Sequence, residues 1–218
     1  MTHFTLHYFI GILPLLLDGM VVTVELTAAS LAGGLLLGII LAVLRISRFR
    51  PVAIAAAFYV NLLRSLPLLL LIFWFYFLVP LLVGRPVGGM TSALIGFILF
   101  EGAYFCEIVR AGLQSVRRGQ VLAGLASGLT YPQTMRRIIL PQALRNMLPV
   151  LLTEAINLFK STALVYVVGV RDFLTAASII GTRDNNLVPL YLLAAVVYFV
   201  LCLTASLSVG RLRRSYAL

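Results

Sequence analysis

The chain has 218 residues, of which 61% are hydrophobic and 11% are charged. This balance excludes an ordinary soluble globular domain and is typical of integral membrane proteins. The formal net charge of +10 would suggest a nucleic-acid partner in a soluble protein. Here the arginines lie at the ends of apolar runs, which indicates a role in membrane topology and predicts no nucleic-acid partner.

Five apolar runs are long enough to cross a bilayer, which takes about 20 mostly apolar residues. In chain order they cover residues 19–44, 66–83, 91–111, 148–168 and 187–209. The sequence therefore predicts an all-α, multi-pass membrane protein with a single transmembrane domain over residues 1–218. Residues 1–18 contain no lysine or arginine, so they lack the basic start of a secretory signal peptide and are expected to persist as an interfacial helix.

Three arginine clusters predict the orientation of the chain, because cytoplasmic loops carry an excess of basic residues. The clusters are Arg45, Arg48 and Arg50 after span one, then Arg110, Arg117, Arg118, Arg136, Arg137 and Arg145 near the loop after span three, and Arg211, Arg213 and Arg214 after span five. All three are expected on the cytoplasmic side. The N-terminus is then periplasmic and the C-terminus cytoplasmic.

The long loop between spans three and four, at about residues 113–146, is predicted to dock a partner. Thr130 is placed to cap a short helix that runs to about Leu140, where Pro141 either ends it or starts the next helix. Small side chains permit close approach, and bulky neighbours can enter a groove. The candidate docking residues are Ala123, Gly124, Ser127, Gly128, Tyr131, Met135 and Arg136. The alternative is a basic loop held near anionic lipid headgroups.

Span four is the most polar of the five spans, and ionisable groups inside a membrane tend to line pathways or to pair. Its helical spacing places Glu154, Asn157 and Ser161 on one face, with Lys160 beside them. Lys160 meets a carboxylate of the substrate in one interpretation, and in the other it forms a buried ion pair with a glutamate. The candidate pathway residues are Lys160, Glu154, Asn157, Ser161, Thr162 and Arg64.

Two other charged positions have structural explanations in the sequence. Arg64 is a second candidate cation for the substrate, although its position also suits a side chain that reaches the cytoplasmic interface. Glu107 and Arg110 are three residues apart on a helix and are predicted to pair at the cytoplasmic end of span three.

The loop motifs resemble those of a known family. They are Gly119-Gln120, Ala123-Gly124, Gly128 and Ile139-Leu140-Pro141-Gln142-Ala143 with Arg145. Together they resemble the signature loop of permease subunits of bacterial ATP-binding-cassette importers, in the polar amino-acid branch. The similarity is greatest to glutamate/aspartate permease subunits, through Val165-Tyr166-Val167, Ala176-Ala177-Ser178-Ile179-Ile180-Gly181, Arg183-Asp184 and Val197-Tyr198-Phe199-Val200.

This resemblance implies a multi-pass protein of the bacterial inner membrane that imports acidic amino acids. The loop would be a coupling helix that docks on a cytoplasmic ATPase dimer, which uses the ATP, while this chain binds no cofactor. A second permease subunit, identical or homologous, and a periplasmic solute-binding protein complete the implied assembly. The chain departs from the family at Leu122, where an acidic residue is common. It also departs at Ser161 and Ala163, because many relatives have Lys-Asp-Thr-Ser where this chain has Lys160-Ser161-Thr162-Ala163.

Other functions remain as alternatives in the sequence. The same class of permease could carry glutamine, arginine or histidine. An intramembrane enzyme is disfavoured because His3 and His7 precede the first span without an HExxH pattern, and the chain has no GxSxG motif. The chain also has no phosphate-binding loop, so ATP hydrolysis is expected in a separate partner, and the chain itself is predicted to be a transport subunit and not an enzyme. A channel or scaffold subunit does not explain the long docking loop.

Overall fold

The computed structural model describes residues 6–216, and the side chains of residues 8–213. Over that part of the chain all regular structure is helical. The helices are α1 (Leu6–Arg45), α2 (Arg50–Ser65), α3 (Leu68–Val83), α4 (Gly89–Gln114), α5 (Arg118–Ala126), α6 (Tyr131–Val168), α7 (Phe173–Arg183) and α8 (Leu187–Tyr216). The predicted all-α class is confirmed for these residues.

Four helices, α1, α4, α6 and α8, are long and apolar enough to cross a membrane, and the bent pair α2–α3 is a possible fifth crossing. The first of them is longer than predicted. The chain is helical without a break from Leu6 to Arg45, so residues 6–18 extend the first span and do not form a separate interfacial helix. Residues 1–5 of that predicted helix lie outside the described residues.

The α2–α3 pair bends by 103° where Leu66 and Pro67 interrupt the helix. Proline disfavours helical geometry in the residue before it, and Leu66 is extended with φ −96° and ψ 143°. At 1.5 Å per residue α3 is about 24 Å long, which is less than the hydrocarbon thickness of about 30 Å. The predicted second span thus corresponds to α3, and α2 precedes it in a different direction.

Close packing of α1 on α4 forms the centre of the molecule. A Cβ atom placed on Gly38 would lie 2.6 Å from Phe105 Cβ, and one placed on Gly34 would lie 2.9 Å from Glu101 Cβ. Since contacts this short do not occur between real Cβ atoms, glycine is required for the two helices to approach.

The helix that begins at Tyr131 does not stop near Leu140, contrary to the sequence-based expectation. It continues through Pro141 as α6. The turn Met135–Ile139 is π-helical, and the Leu140 N–H donates to the Met135 carbonyl five residues back. The widened turn and the Gln142 side-chain amide, which donates to the Ile138 carbonyl at 3.0 Å, accommodate the proline within a continuous helix.

The end of the molecule opposite the α5–α6 turn is closed by α7. Asp172 caps this helix by accepting from the backbone N–H groups of Leu174 and Thr175. The Phe173 N–H donates to Thr23 Oγ1 of α1 at 3.0 Å. These hydrogen bonds attach α7 to the first span.

Candidate functional site

The candidate docking region is a helix–turn–helix made of α5 and the first turns of α6. Gly128 has a φ of +82°, a conformation that glycine adopts without strain. Its N–H donates to the Leu125 carbonyl, and the Leu129 N–H donates to the Gly124 carbonyl, which together form a Schellman motif. Thr130 is the N-cap residue of α6, as predicted, and its backbone N–H donates to Gln133 Oε1 at 2.9 Å.

Gly124 lies between the two helices of this turn. A Cβ atom there would be 2.6 Å from Thr134 Cγ2 and 3.1 Å from Ile138 Cδ1. Gly124 and Thr134 are both buried. Gly124 therefore allows α5 and α6 to pack closely beneath the predicted docking surface, and it is not itself exposed on that surface.

The other predicted docking residues surround the turn. Ala123, Ser127, Gly128, Tyr131 and Arg136 are exposed, and Met135 is half-buried. Tyr131 is the bulkiest of them, with 58% of its surface exposed. The two helices thus present a turn with small residues at its tip and an aromatic side chain beside it.

The predicted polar face of span four is on the outside of this single chain. Lys160 and Asn157 are exposed, and Glu154 is half-buried. Asn157 Nδ2 donates to Glu154 Oε2 at 3.2 Å. Thr153, one turn before Asn157, is also exposed, so polar side chains follow one stripe of α6.

Lys160 is the only lysine in the sequence. It lines a groove of about 470 Å³ between α6 and α8, together with Asn157, Tyr198 and Cys202. Among the described side chains Lys160 takes part in no ion pair. The buried Lys160–glutamate pair that the sequence left open is not formed within residues 8–213.

The remaining candidate pathway residues are divided between two places. Ser161 is half-buried next to Lys160, whereas Thr162 is fully buried and donates to the Phe159 carbonyl at 2.7 Å. Arg64 lies elsewhere, on α2, with its guanidinium 5.2 Å from the centre of the Tyr104 ring. The structure therefore does not bring Arg64 to the polar stripe of α6.

Glu107 joins the ends of three helices. It pairs with Arg110 at 2.6 Å on α4, as predicted, and also with Arg45 of α1. Arg64 of α2 is 3.9 Å away. The sequence missed this convergence, although Arg45 at the last turn of span one was a possible signal. One partly buried carboxylate thus holds α1, α2 and α4 together.

Glu101 is a deeply buried ionisable side chain, with 2% of its surface exposed. Its Oε2 atom has no hydrogen-bond partner among the described side chains. It lies in the middle of α4 against Gly34 of α1. Within the described residues no cluster of three His, Cys, Asp or Glu side chains is placed to hold a metal.

Asp184, in the loop between α7 and α8, is held by two neighbours. Arg183 Nε donates to it at 2.7 Å, and the Tyr8 hydroxyl of α1 donates at 2.8 Å. These two interactions lower the pKa of Asp184 to about 2, because both favour the charged carboxylate. The pair Tyr8–Asp184 fixes the start of α1 to this loop.

Comparison with known proteins identifies the family. The family model for the binding-protein-dependent transport system inner membrane component matches residues 34–217. The chain belongs to this family. It is therefore a permease subunit of a binding-protein-dependent transporter, located in the inner membrane, and it is a transport subunit and not an enzyme. The resemblance drawn from the loop motifs is confirmed.

Individual relatives agree with this assignment. The glutamate/aspartate import permease protein GltK of Escherichia coli O6:H1 is 48% identical over 212 residues, covering 94% of this chain and 95% of the relative. The arginine transport system permease protein ArtQ of Bacillus subtilis is 35% identical over 191 residues, covering 88% of this chain and 87% of the relative.

Solved structures share the fold of this permease. A crystal structure of an amino acid ABC transporter with histidines has a TM-score of 0.90 and 31% identity, and the match covers 97% of this chain and 98% of the other. An inward-facing structure of the MetNI methionine ABC transporter has a TM-score of 0.74 at 21% identity, with 94% and 98% covered. The second match supports the fold alone.

Proposed function

We propose that this permease carries acidic amino acids, glutamate or aspartate, into the cell. The observation that carries the proposal is the 48% identity to the glutamate/aspartate permease GltK over nearly the whole of both chains. Relatives named for arginine and glutamine are 35% identical, which is a clear step lower. A permease for glutamine, arginine or histidine is the alternative.

The proposed topology has five crossings, in which α3 is the second and α2 lies along one leaflet before it. The N-terminus is periplasmic and the C-terminus cytoplasmic, because the arginines at the ends of α1 and α8 and around α5 then share the cytoplasmic side. The whole chain, residues 1–218, forms one transmembrane domain with a cytoplasmic loop at about 113–146.

The proposed path follows the polar stripe of α6. Polar side chains that face lipid are costly, and Thr153, Asn157 and Lys160 are exposed in the single chain. A second permease subunit, identical or homologous, would cover this stripe and place it between two subunits. Lys160 then supplies the positive charge for a substrate carboxylate, with Glu154, Ser161 and Thr162 shaping its surroundings. Arg64 is not part of this path. It belongs to the Glu107 cluster, which consists of Glu107, Arg45, Arg64 and Arg110.

The proposed energy source is a cytoplasmic ATPase dimer that receives the α5–α6 turn. Exposed Ala123, Ser127 and Gly128 would let the turn approach the ATPase closely, while Tyr131, Met135 and Arg136 would contact its cleft. ATP is used by that partner, and this chain binds no cofactor. A periplasmic solute-binding protein would deliver the amino acid. Movement of the docked turn would alternate the path between its two openings.

The experiment is radiolabelled glutamate uptake by cells that express this permease with the products of its neighbouring genes. Unlabelled glutamate, aspartate, glutamine, arginine and histidine are added in turn as competitors. Competition by glutamate and aspartate alone supports the proposal. Competition by a neutral or basic amino acid with equal strength would overturn the substrate class and leave the permease family unaffected.

A further inference from the structure

The outward face of α2 is apolar along one stripe. Ile54 and Phe58 are one turn apart, with 66% and 67% of their surfaces exposed, and Leu62 follows on the next turn. The opposite face is buried through Ala56, Val60 and Leu63 against the rest of the bundle. The exposed stripe is therefore not part of the core of this chain.

The direction of α2 places this stripe in the plane of a membrane leaflet. Since α3 runs alongside α4, with Ser92 of α4 donating to the Phe75 carbonyl at 3.3 Å, the 103° bend turns α2 almost perpendicular to the crossing helices. The Tyr59 hydroxyl donates to the Leu99 carbonyl of α4 at 3.3 Å. Leu99 lies near the middle of α4, so this part of α2 lies among the acyl chains, while the first turn of α2 follows the arginines at the end of α1.

Positive charge is concentrated where α2 begins. Arg48 and Arg50 are both exposed and flank the exposed Phe49. Neither arginine takes part in an ion pair with a described side chain. The sequence from Ile46 to Leu66 contains no aspartate or glutamate, so nothing within this segment neutralises them.

From these observations we infer that Arg48, Phe49 and Arg50, with the Ile54–Phe58 stripe, bind an anionic phospholipid. The two guanidinium groups hold the phosphate-bearing headgroup, Phe49 lies at the interface, and Ile54 and Phe58 contact the acyl chains. Charge complementarity selects an anionic headgroup over a zwitterionic one, because basic residues next to a membrane attract anionic lipids. The continuity of α2 with the crossing helices favours a lipid over a soluble partner.

The test places a photoreactive benzoylphenylalanine at Phe58 in the assembled transporter. The complex is reconstituted in vesicles of equimolar phosphatidylglycerol and phosphatidylcholine with the same acyl chains, irradiated, and analysed by mass spectrometry for lipid adducts. Phosphatidylglycerol adducts are expected to exceed phosphatidylcholine adducts by about fivefold or more, since one basic residue near the surface supplies about that factor. Raised salt should reduce the ratio.

Two variants distinguish selection of anionic lipid by Arg48 and Arg50 from unselective contact of α2 with lipid. The double change Arg48→Gln and Arg50→Gln should bring the ratio close to one while adducts still form. Arg85→Gln, which removes an exposed arginine from the α3–α4 loop, should leave the ratio unchanged. Equal adducts with both arginines intact would overturn the inference. A protein adduct in place of lipid would also overturn it, because another subunit would then cover the stripe.

Discussion

Lys160 is the residue that the proposed path assigns to the substrate carboxylate. It is the only lysine of the chain, it is exposed on the polar stripe of α6, and no described acidic side chain pairs with it. Lys160→Met is expected to lower glutamate uptake by about tenfold or more, because a charge-assisted hydrogen bond contributes roughly 1.5–3 kcal/mol. Initial uptake rates at several glutamate concentrations measure the loss.

Lys160→Arg is the matched control for this prediction, since it keeps the charge but changes the shape of the donor. It should retain more acidic amino-acid uptake than Lys160→Met. If Lys160→Met lowers uptake of every transported amino acid equally, a structural role for Lys160 replaces the substrate role.

Glu107 is expected to be a structural residue with a measurable effect on stability. Glu107→Gln leaves Arg45, Arg64 and Arg110 close together without their shared carboxylate. Removing one partner of a buried ion pair costs about 3–5 kcal/mol, and partial exposure of these arginines reduces the expected loss to about 1–3 kcal/mol. Thermal unfolding of the purified complex measures the change.

Glu25→Gln is the control for Glu107, because Glu25 is an exposed glutamate without an ion pair among the described side chains. Its unfolding temperature should match that of the unmodified protein. A Glu107→Gln variant as stable as this control would contradict the assigned role of the Glu107 cluster.

At the scale of elements, the α5–α6 turn depends on the left-handed conformation of Gly128. No heavy atom lies within 4 Å of a Cβ built at this position, so the effect of a side chain there comes from backbone strain and from bulk on the docking surface. Gly128→Val is expected to abolish uptake while the protein still inserts. Gly128→Asn should be milder, since asparagine tolerates this conformation better than most residues.

Gly119→Val gives the matched comparison for Gly128. Gly119 is exposed on the same pair of helices, has equally open surroundings and lacks a positive φ. Uptake normalised to the amount of protein in the membrane distinguishes the variants. Normal uptake by Gly128→Val would remove the docking turn from the mechanism.

Some features of the helices could be predicted from local sequence signals, and others could not. Apolar runs gave the spans, and the spacing of Glu107 and Arg110 gave their ion pair, because both depend on neighbours along one helix. Continuity through Pro141 was missed, since it depends on a π-helical turn that the sequence pattern does not mark. The bend before α3 could be predicted only in part, because Pro67 indicates a break in the helix but not the angle of the bend.

The same distinction applies to the candidate site. The small residues from Ala123 to Gly128 were recognisable as a turn, yet the burial of Gly124 depends on its contact with Thr134. Arg64 was grouped with Lys160 by charge alone, and packing of α2 on α4 placed it beside Tyr104 instead. Contacts between distant parts of the chain decided each of these outcomes, and a single sequence does not display them.

At the scale of the whole molecule, the single chain does not enclose its own polar stripe. Thr153, Asn157 and Lys160 follow one exposed face of α6, and a membrane span with such a face is stable when another protein surface covers it. A second permease subunit placed there would enclose a path between two polar stripes. The predicted arrangement therefore brings α6 of one subunit close to its partner.

This arrangement predicts a specific cross-link. The variant is Asn157→Cys in a background with Cys106→Ser and Cys202→Ser, and membranes that contain it are treated with a short bifunctional maleimide. If the two permease subunits are identical, this variant should form a covalent dimer. If they are homologous, the same cysteine should cross-link to the other permease once that protein carries a cysteine at the matching position. Electrophoresis of the products distinguishes the two cases.

Ile54→Cys, in the same background, is the control for the cross-link. Ile54 and Asn157 are both exposed in the single chain. Ile54 belongs to the stripe of α2 assigned to lipid, so it should give no cross-link to either permease. Cross-linking through Ile54 and not through Asn157 would place the subunit contact on α2. The proposed path would then be wrong because α6 would not meet its partner, and the lipid site would be wrong because a subunit would cover the stripe of α2.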